Sequence, residues 1–423
     1  MNSFIIRGNF LESKNPNQFS IAENSYLSVT NGISQGISPV IPERYQGLPL
    51  IDFDDRMILP GMTDLHVHAP QFAFRGLGMD MELLDWLNTY AFPEEAKYID
   101  LSYATKAYQG FVASLLHSTT TRAAIFGTVH VPATLTLMDE LERSGLRTCV
   151  GKVNMDRNCP DEVRERDVET ALRETEQWIQ AAKSRFVHTR PIITPRFIPA
   201  CSDALLAGLK SLQRRFDLPI QSHLSENLGE IEWVRSLHPE ATCYGDAYER
   251  FGLFGGENPC IMAHCVHSGD EELELIHRNG VFIAHSPESN INLSSGVAPV
   301  SRYLELGLHV GLASDVAGGS NISLLQAMMH AIQASKLRWR LLDSGVRPLT
   351  LEQAFYLATV GGGAFFGKVG RFQEGYEFDA VVLDDSSLFH PQPLNLRSRL
   401  ERAVYLADDR NITAKFVAGQ RLF

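Results

Sequence analysis

Three features of the sequence predict an α/β protein, a (β/α)8 TIM barrel with a small composite β-sandwich formed by the N- and C-terminal segments. The middle of the chain alternates short apolar runs with longer stretches of helical spacing. Eight runs occur, at 57–66, 119–126, 147–155, 191–198, 219–225, 260–266, 281–286 and 309–315. Eight strand–helix units over roughly 300 residues match the barrel architecture. Both ends instead carry short β-type segments, and no Gly-x-Gly-x-x-Gly follows the first run, which argues against a doubly wound open sheet.

Taken in order, the N-terminal segments are 3–7, 26–30 and 48–52, separated by Gly, Pro and Asn. They hold too few apolar residues to close a core alone. The C-terminal segments 377–383, 402–406 and 413–418 supply similar material. The two ends are therefore expected to pair. This divides the chain into a sandwich of residues 1–57 plus 370–423 and a barrel of residues 58–369. Between the barrel runs, Val168 to Ser184 and Asp270 to Arg278 show helical spacing.

Composition narrows the function classes. The chain has 423 residues, 44% apolar and 21% charged, as a globular enzyme with one large domain and an accessory one would have. Its net charge of -12, with no basic stripe, argues against nucleic acid or an anionic membrane as partner. No apolar run is long enough to span a bilayer, and Met1 to Arg7 does not resemble a secretory leader. The six cysteines (Cys149, Cys159, Cys201, Cys243, Cys260 and Cys265) form no Cys-x-x-Cys pair. They fit reduced thiols in a cytoplasmic protein.

Chemistry-bearing residues gather at the ends of the runs, which in a barrel form one rim. The first run leads into Asp64-Leu-His66-Val-His68, whose two imidazoles share a strand face and make half of a metal site. The fifth run ends in His223 with Glu226 three residues on, the sixth in His264, the seventh in His285 and the eighth in Asp315. A mononuclear zinc site needs three or four ligands and an open position. His66, His68 and His223 supply nitrogen and Asp315 a carboxylate, which can also aim the hydroxide. Glu226 is placed to face the open position as proton shuttle. His264 is either a fourth ligand or a donor outside the ligand set that stabilises the adduct, and the second is favoured. His285 either orients Asp315 or bonds a backbone group.

The fourth run ends Thr194-Pro-Arg196-Phe197. A two-metal barrel would need a bridging anion near here, so an arginine argues for one metal. Its planar donor fork matches the O6/N7 edge of guanine, and Phe197 can stack on a flat ring. A structural arginine paired with a rim carboxylate is the competing reading.

At this point the sequence resembles the guanine deaminases of the amidohydrolase superfamily. The resemblance rests on Pro60-Gly-Met-Thr-Asp-Leu-His-Val-His-Ala-Pro-Gln-Phe72, the Phe92-Pro-Glu94 segment and Thr194-Pro-Arg-Phe197. It extends through Gln221-Ser-His-Leu-Ser-Glu-Asn227, Met262-Ala-His-Cys265, Ala284-His-Ser-Pro-Glu-Ser-Asn290, Leu293-Ser-Ser-Gly296 and Ser314-Asp-Val-Ala-Gly-Gly319. It implies hydrolytic deamination of guanine at C2, giving xanthine and ammonia, in purine catabolism or salvage. It implies one zinc on His66, His68, His223 and Asp315, with Fe or Mn as alternatives that such ligands also accept. Glu226 would shuttle protons and His264 would contact the water or the substrate. Gln71, Arg196 and Phe197 would hold the purine, and the protein would be a homodimer. The competing readings are an amidohydrolase acting on 8-oxoguanine, an aminotriazine or cytosine, a metal-free interaction scaffold, and a β-region that docks a partner.

Overall fold

The polypeptide changes sheets at Gly61. A computed structural model describes residues 3–423, and in it the strand β4 (Leu50–Pro60) ends one residue before β5 (Met62–His68) begins. A Cβ on Gly61 would run into the Thr121 side chain, so the crossing point has room only for glycine. The run expected at 57–66 is therefore two strands in two sheets.

The first sheet has seven strands. Besides β4 it contains β1 (Phe4–Asn15), β2 (Gln18–Thr30) and β3 (Ile33–Ser38) from the N-terminal side. Three others come from the C-terminal end and are numbered last, in chain order: β15 (Ala380–Leu383), β16 (Ile412–Val417) and β17 (Gln420–Arg421). The order is β17-β16-β15-β4-β1-β2-β3, and the two ends meet where β15 runs antiparallel to β4, Ala380 opposite Pro60. The sheet has its own apolar cluster, including Phe4, Phe10, Phe53, Phe372, Phe378 and Phe416. Its far ends approach each other: Phe378 N donates to Gly32 O and Gly419 N donates to Phe378 O, both at 2.8 Å. One continuous sheet wrapped on a core thus stands where two packed sheets were expected.

The expected strand at 402–406 is helical. Leu396–Leu406 forms a helix capped by Asn395, whose side chain accepts from Ser398 N. Leu396, Leu400, Ala403 and Val404 are its buried residues, an i, i+4, i+7, i+8 stripe. Read alone, Ala403 and Val404 pass for β-material; the stripe they complete starts at Leu396, outside the expected strand.

The middle of the chain is a TIM-barrel-type α/β fold. Its strands are β5, β6 (Thr120–Phe126), β7 (Arg147–Gly151), β8 (Val153–Asn154), β9 (Thr189–Pro191), β10 (Thr194–Pro195), β11 (Ile220–Leu224), β12 (Cys260–His264), β13 (Phe282–His285) and β14 (His309–Leu312). They form parallel groups β5-β6-β7-β9, β10-β8 and β11-β12-β13-β14. The runs at 147–155 and 191–198 are each broken into two short strands. In the second, Pro191 and Pro195 have no N–H to give to a ladder. Backbone bonds cross the gaps between groups: Gln221 N donates to Ile193 O, and Asp315 N donates to His66 O, both at 2.9 Å. Small and apolar side chains, among them Leu65, Ala124, Ile261, Ala263, Ala284 and Ala313, form a separate buried cluster between the strands. The helices Val168–Arg185 and Asp270–Asn279 lie where helical spacing placed them. Arg122 of β6 joins the two parts, donating to Asp379 (2.6 Å) and Glu377 (2.8 Å) ahead of β15. All six cysteines are free thiols, and no helix among the described residues is long and apolar enough to cross a membrane.

Candidate active site

Strand ends deliver the predicted residues to one point. His66 and His68 close β5, and a register shift between Asp64 and Val67 interrupts its pairing with β6 there. Asp64, fully buried, staples this end to the loop after β14. It accepts from His66 N (3.2 Å), Ser314 N (3.1 Å) and Ser314 Oγ (2.5 Å). The next residue, Asp315, bonds the His66 carbonyl, and His68 N donates to Val316 O at 3.1 Å. Residues 250 positions apart are thus joined by short polar bonds that fix Asp315 beside the histidine pair.

The donor atoms converge. His68 Nε2 lies 3.1 Å from His66 Nε2 and 3.2 Å from His223 Nε2, and Asp315 Oδ1 lies 3.1 Å from His66 Nε2. His66, His68 and Asp315 form one set with all ligating atoms within 4.8 Å of one another, and His66, His223 and His264 form another. Lone-pair nitrogens this close repel one another, and a cation about 2.0–2.1 Å from each would remove the conflict. The residues present therefore suit a cation. His223 Nδ1 donates to Arg196 O at 2.6 Å, which leaves Nε2 as the free lone pair facing the cluster. Burial pushes His68 and His223 well below the ordinary imidazole range, and neighbouring histidines add to the effect. Their rings are neutral at pH 7, the form a ligand needs. Burial would raise the Asp315 carboxyl, but His66 and His264 beside it hold it below its usual value, so it is ionised.

His264 reaches the cluster by unusual backbone. Alternation from Ala263, which packs in the interior, would send it outward. Its left-handed backbone (φ 72°) instead lets its ring stack on His223, centroids 5.6 Å apart and 16° from parallel. Its Nδ1 donates to Asn290 Oδ1 (2.9 Å), and its Nε2 lies 3.3 Å from Glu226 Oε2 and 3.7 Å from Asp315 Oδ2. Glu226 is held on its other oxygen by Ser295 Oγ (3.1 Å). Burial, with Asp315 nearby, pushes the Glu226 carboxyl well above the usual range, so it retains a proton readily. His285 is buried, bonds neither Asp315 nor a backbone group through Nδ1, and is pushed down to about 3 by burial. Neither role expected for it through that nitrogen is realised.

Beside the donors lies a small cavity. Gln71, Arg196, Phe197, Glu226 and Asp315 all line it, with Leu83, Trp86, Leu87 and Leu293 as apolar wall. Phe197 is braced edge-on against Trp233, with centroids 6.1 Å apart. Arg196 Nη1 donates to Glu95 Oε2 at 2.6 Å, so the pairing with a rim carboxylate weighed from the sequence is present. Pairing and exposure to the cavity coexist in the same side chain. Glu95, Asp64, Asn290 and Ser295 were not singled out from sequence. The last three sit inside quoted motifs, whereas Glu95 adjoins one and carries no spacing signal toward Arg196.

The sequence profile of the Amidohydrolase family matches residues 57–422, and this chain belongs to that family. Among proteins of known name it is similar to the guanine deaminase of Dictyostelium discoideum, 38% identical over 88% of this chain and 84% of that protein. The guanine deaminase of Escherichia coli K12 is 33% identical over 88% of this chain and 84% of that one. Among solved structures, a guanine deaminase from C. acetobutylicum with guanine bound in its active site has a TM-score of 0.96. It is 48% identical and covers 100% of both chains.

Proposed function

We propose that this chain hydrolyses guanine at C2, with water as co-substrate, to xanthine and ammonia. One observation carries the reading: a buried cluster of three imidazoles and Asp315 shares a cavity with a carboxyl of raised proton affinity, Glu226, and with the amide and guanidinium donors of Gln71 and Arg196. Its similarity to guanine deaminases over most of the chain supports the choice of ring.

His66, His68, His223 and Asp315 are the residues that would hold one divalent cation, zinc or else Fe or Mn, with His264 just outside the set. When bound, such a cation lowers the pKa of water from about 15.7 to about 7, so that hydroxide is available at neutral pH. Glu226 takes the proton that water releases and passes it to the departing amino group. Ser295 and His264 hold the two Glu226 oxygens so that its free lone pairs stay in reach of both positions. Gln71 and Arg196 orient the purine through its acceptor atoms, and Phe197 lies against the ring. The eight barrel strands close into one cylinder, with the backbone bonds from Gln221 to Ile193 and from Asp315 to His66 supporting closure. The division into residues 1–57 plus 370–423 and residues 58–369 is supported by the change of sheet, which falls at Gly61 and not at 57/58, and by the return to the seven-stranded sheet at β15. Free thiols fit a cytoplasmic protein, and the homodimer implied by the family resemblance is checked by light scattering.

The test is incubation with guanine, following the absorbance change to xanthine, with and without a chelator. Adenine and cytosine run as controls. Turnover of guanine that the chelator abolishes is expected; turnover of cytosine instead of guanine would overturn the assignment.

A further inference from the structure

Glu95 is 1% exposed, and its two carboxylate oxygens hold two different residues of the cavity wall. Oε1 accepts from Gln71 Nε2 at 2.9 Å, and Oε2 accepts from Arg196 Nη1 at 2.6 Å. Both partners are themselves at most 3% exposed. From the other side, Gln71 Oε1 accepts from Ala317 N at 3.2 Å. The guanidinium of Arg196 also lies over the Phe92 ring, 4.9 Å from its centroid. Glu95 and Phe92 belong to one short helical segment, Phe92–Ala96, so a single element grips Arg196 by edge and face.

These contacts remove a freedom that an amide normally has. Rotating the Gln71 amide by half a turn would set its oxygen against the Glu95 carboxylate and its NH2 against the Ala317 N–H. Both contacts would be repulsive, so the amide is locked. Its oxygen is engaged by backbone, and what remains for a ligand is one N–H. Arg196 has five N–H groups, no acceptor, and one group engaged by Glu95. The polar wall made by these two residues therefore offers donors only.

We propose that Glu95, a positioning residue that need not touch the ligand, fixes this donor-only wall and so selects an oxo-bearing purine edge over an amino-bearing one. The inference rests on reading the cavity as a purine site. An oxo group and its neighbouring ring nitrogen accept from the wall; an exocyclic amino group at the same place points N–H at N–H and leaves buried donors without partners. Glu95→Gln keeps the shape but has a donor of its own and no charge, which removes one of the two repulsions that lock the Gln71 amide and loosens the hold on Arg196. Glu95→Asp keeps the counter-charge on Arg196 but is one methylene too short to hold both partners.

The test uses the metal-loaded full chain and two ligands that differ at C6 and lack the C2 amino group, hypoxanthine (6-oxo) and adenine (6-amino). Binding is followed by tryptophan fluorescence, since Trp86 lines the cavity. Wild type should prefer hypoxanthine by about 100-fold, as unpaired buried donors dictate. Glu95→Gln should bring the preference below about 5-fold and Glu95→Asp to an intermediate value, with metal content unchanged. If Glu95→Gln fails to fold, Glu95→Asp decides: an unaltered preference overturns the proposal and a reduced one supports it. Equal binding of the two ligands by wild type also overturns it, whatever guanine turnover shows. If the preference and its loss are found but guanine is not turned over, the reading of the reaction falls and the role of Glu95 stands.

Discussion

Replacing Glu226 with glutamine isolates proton carriage from everything else the site does. The amide has the same shape. Its oxygen can still accept from Ser295 Oγ, now 3.1 Å away, and its nitrogen can donate to His264 Nε2, now 3.3 Å from Oε2. What it cannot do is accept a proton and release it again. Single acid–base groups contribute about 10²–10⁴ in rate. Glu226 is asked to serve both the incoming water and the departing amine, so the upper end applies, a fall in kcat of about 10⁴, or about 5 kcal/mol of barrier. KM for guanine should move by less than about threefold, because the purine contacts are on Gln71, Arg196 and Phe197. Metal content should stay at one per chain, since Glu226 is in neither ligating set. Melting temperature should hold or rise by a few degrees, because burial and Asp315 both oppose charge on this carboxyl and the amide carries none. Steady-state turnover, metal analysis and calorimetry on one preparation read all four. Retention of more than a tenth of wild-type kcat would refute the shuttle, and loss of metal would make Glu226 a ligand.

Three other perturbations follow from the same geometry. Removing the cation with a chelator should abolish turnover and lower the melting temperature, and zinc at 1,000 times Kd should restore about 4 kcal/mol; a melting temperature indifferent to zinc would count against the site. Arg196→Ala should cut kcat/KM for guanine by orders of magnitude while metal remains, and should cost about 3–5 kcal/mol because it leaves Glu95 buried and unpaired. The pair Arg196→Met with Glu95→Leu should recover that stability but not the activity. Burial, with Glu226 beside it, pushes the Glu230 carboxyl up to about 7 from 4.5. Its proton is held more tightly in the folded chain, so the stability it gives is full below about pH 4.5 and is lost as pH rises through about 7. Glu230→Gln should flatten that dependence by on the order of 3 kcal/mol between pH 4.5 and 8, measured by urea unfolding.

Which residues could be read from sequence depended on whether their signal was local. His66, His68, His223, His264 and Asp315 each follow an apolar run, so a rule about barrel strand ends gathered them without coordinates. The pivot at Gly61 was hidden because the apolar run continues through it, and only the Thr121 side chain excludes a larger residue. Arg402 to Leu406 misled because five residues cannot distinguish a strand from the end of an amphipathic helix. Glu95 was invisible for a different reason: its meaning lies wholly in Gln71 and Arg196, the second of them 101 positions away. His264 pointed the right way in space for a reason no pattern shows, a left-handed residue that cancels the alternation of its strand.

The passage from β4 into β5 also orders events in time. The strand carrying His66 and His68 is an extension of one whose neighbour, β15, leaves the ribosome long after it. Until Ala380 to Leu383 emerges, that side of β4 has no partner. The first imidazole pair is thus made early but anchored late. Nascent chains halted before residue 380 should bind metal poorly however complete their ligand list.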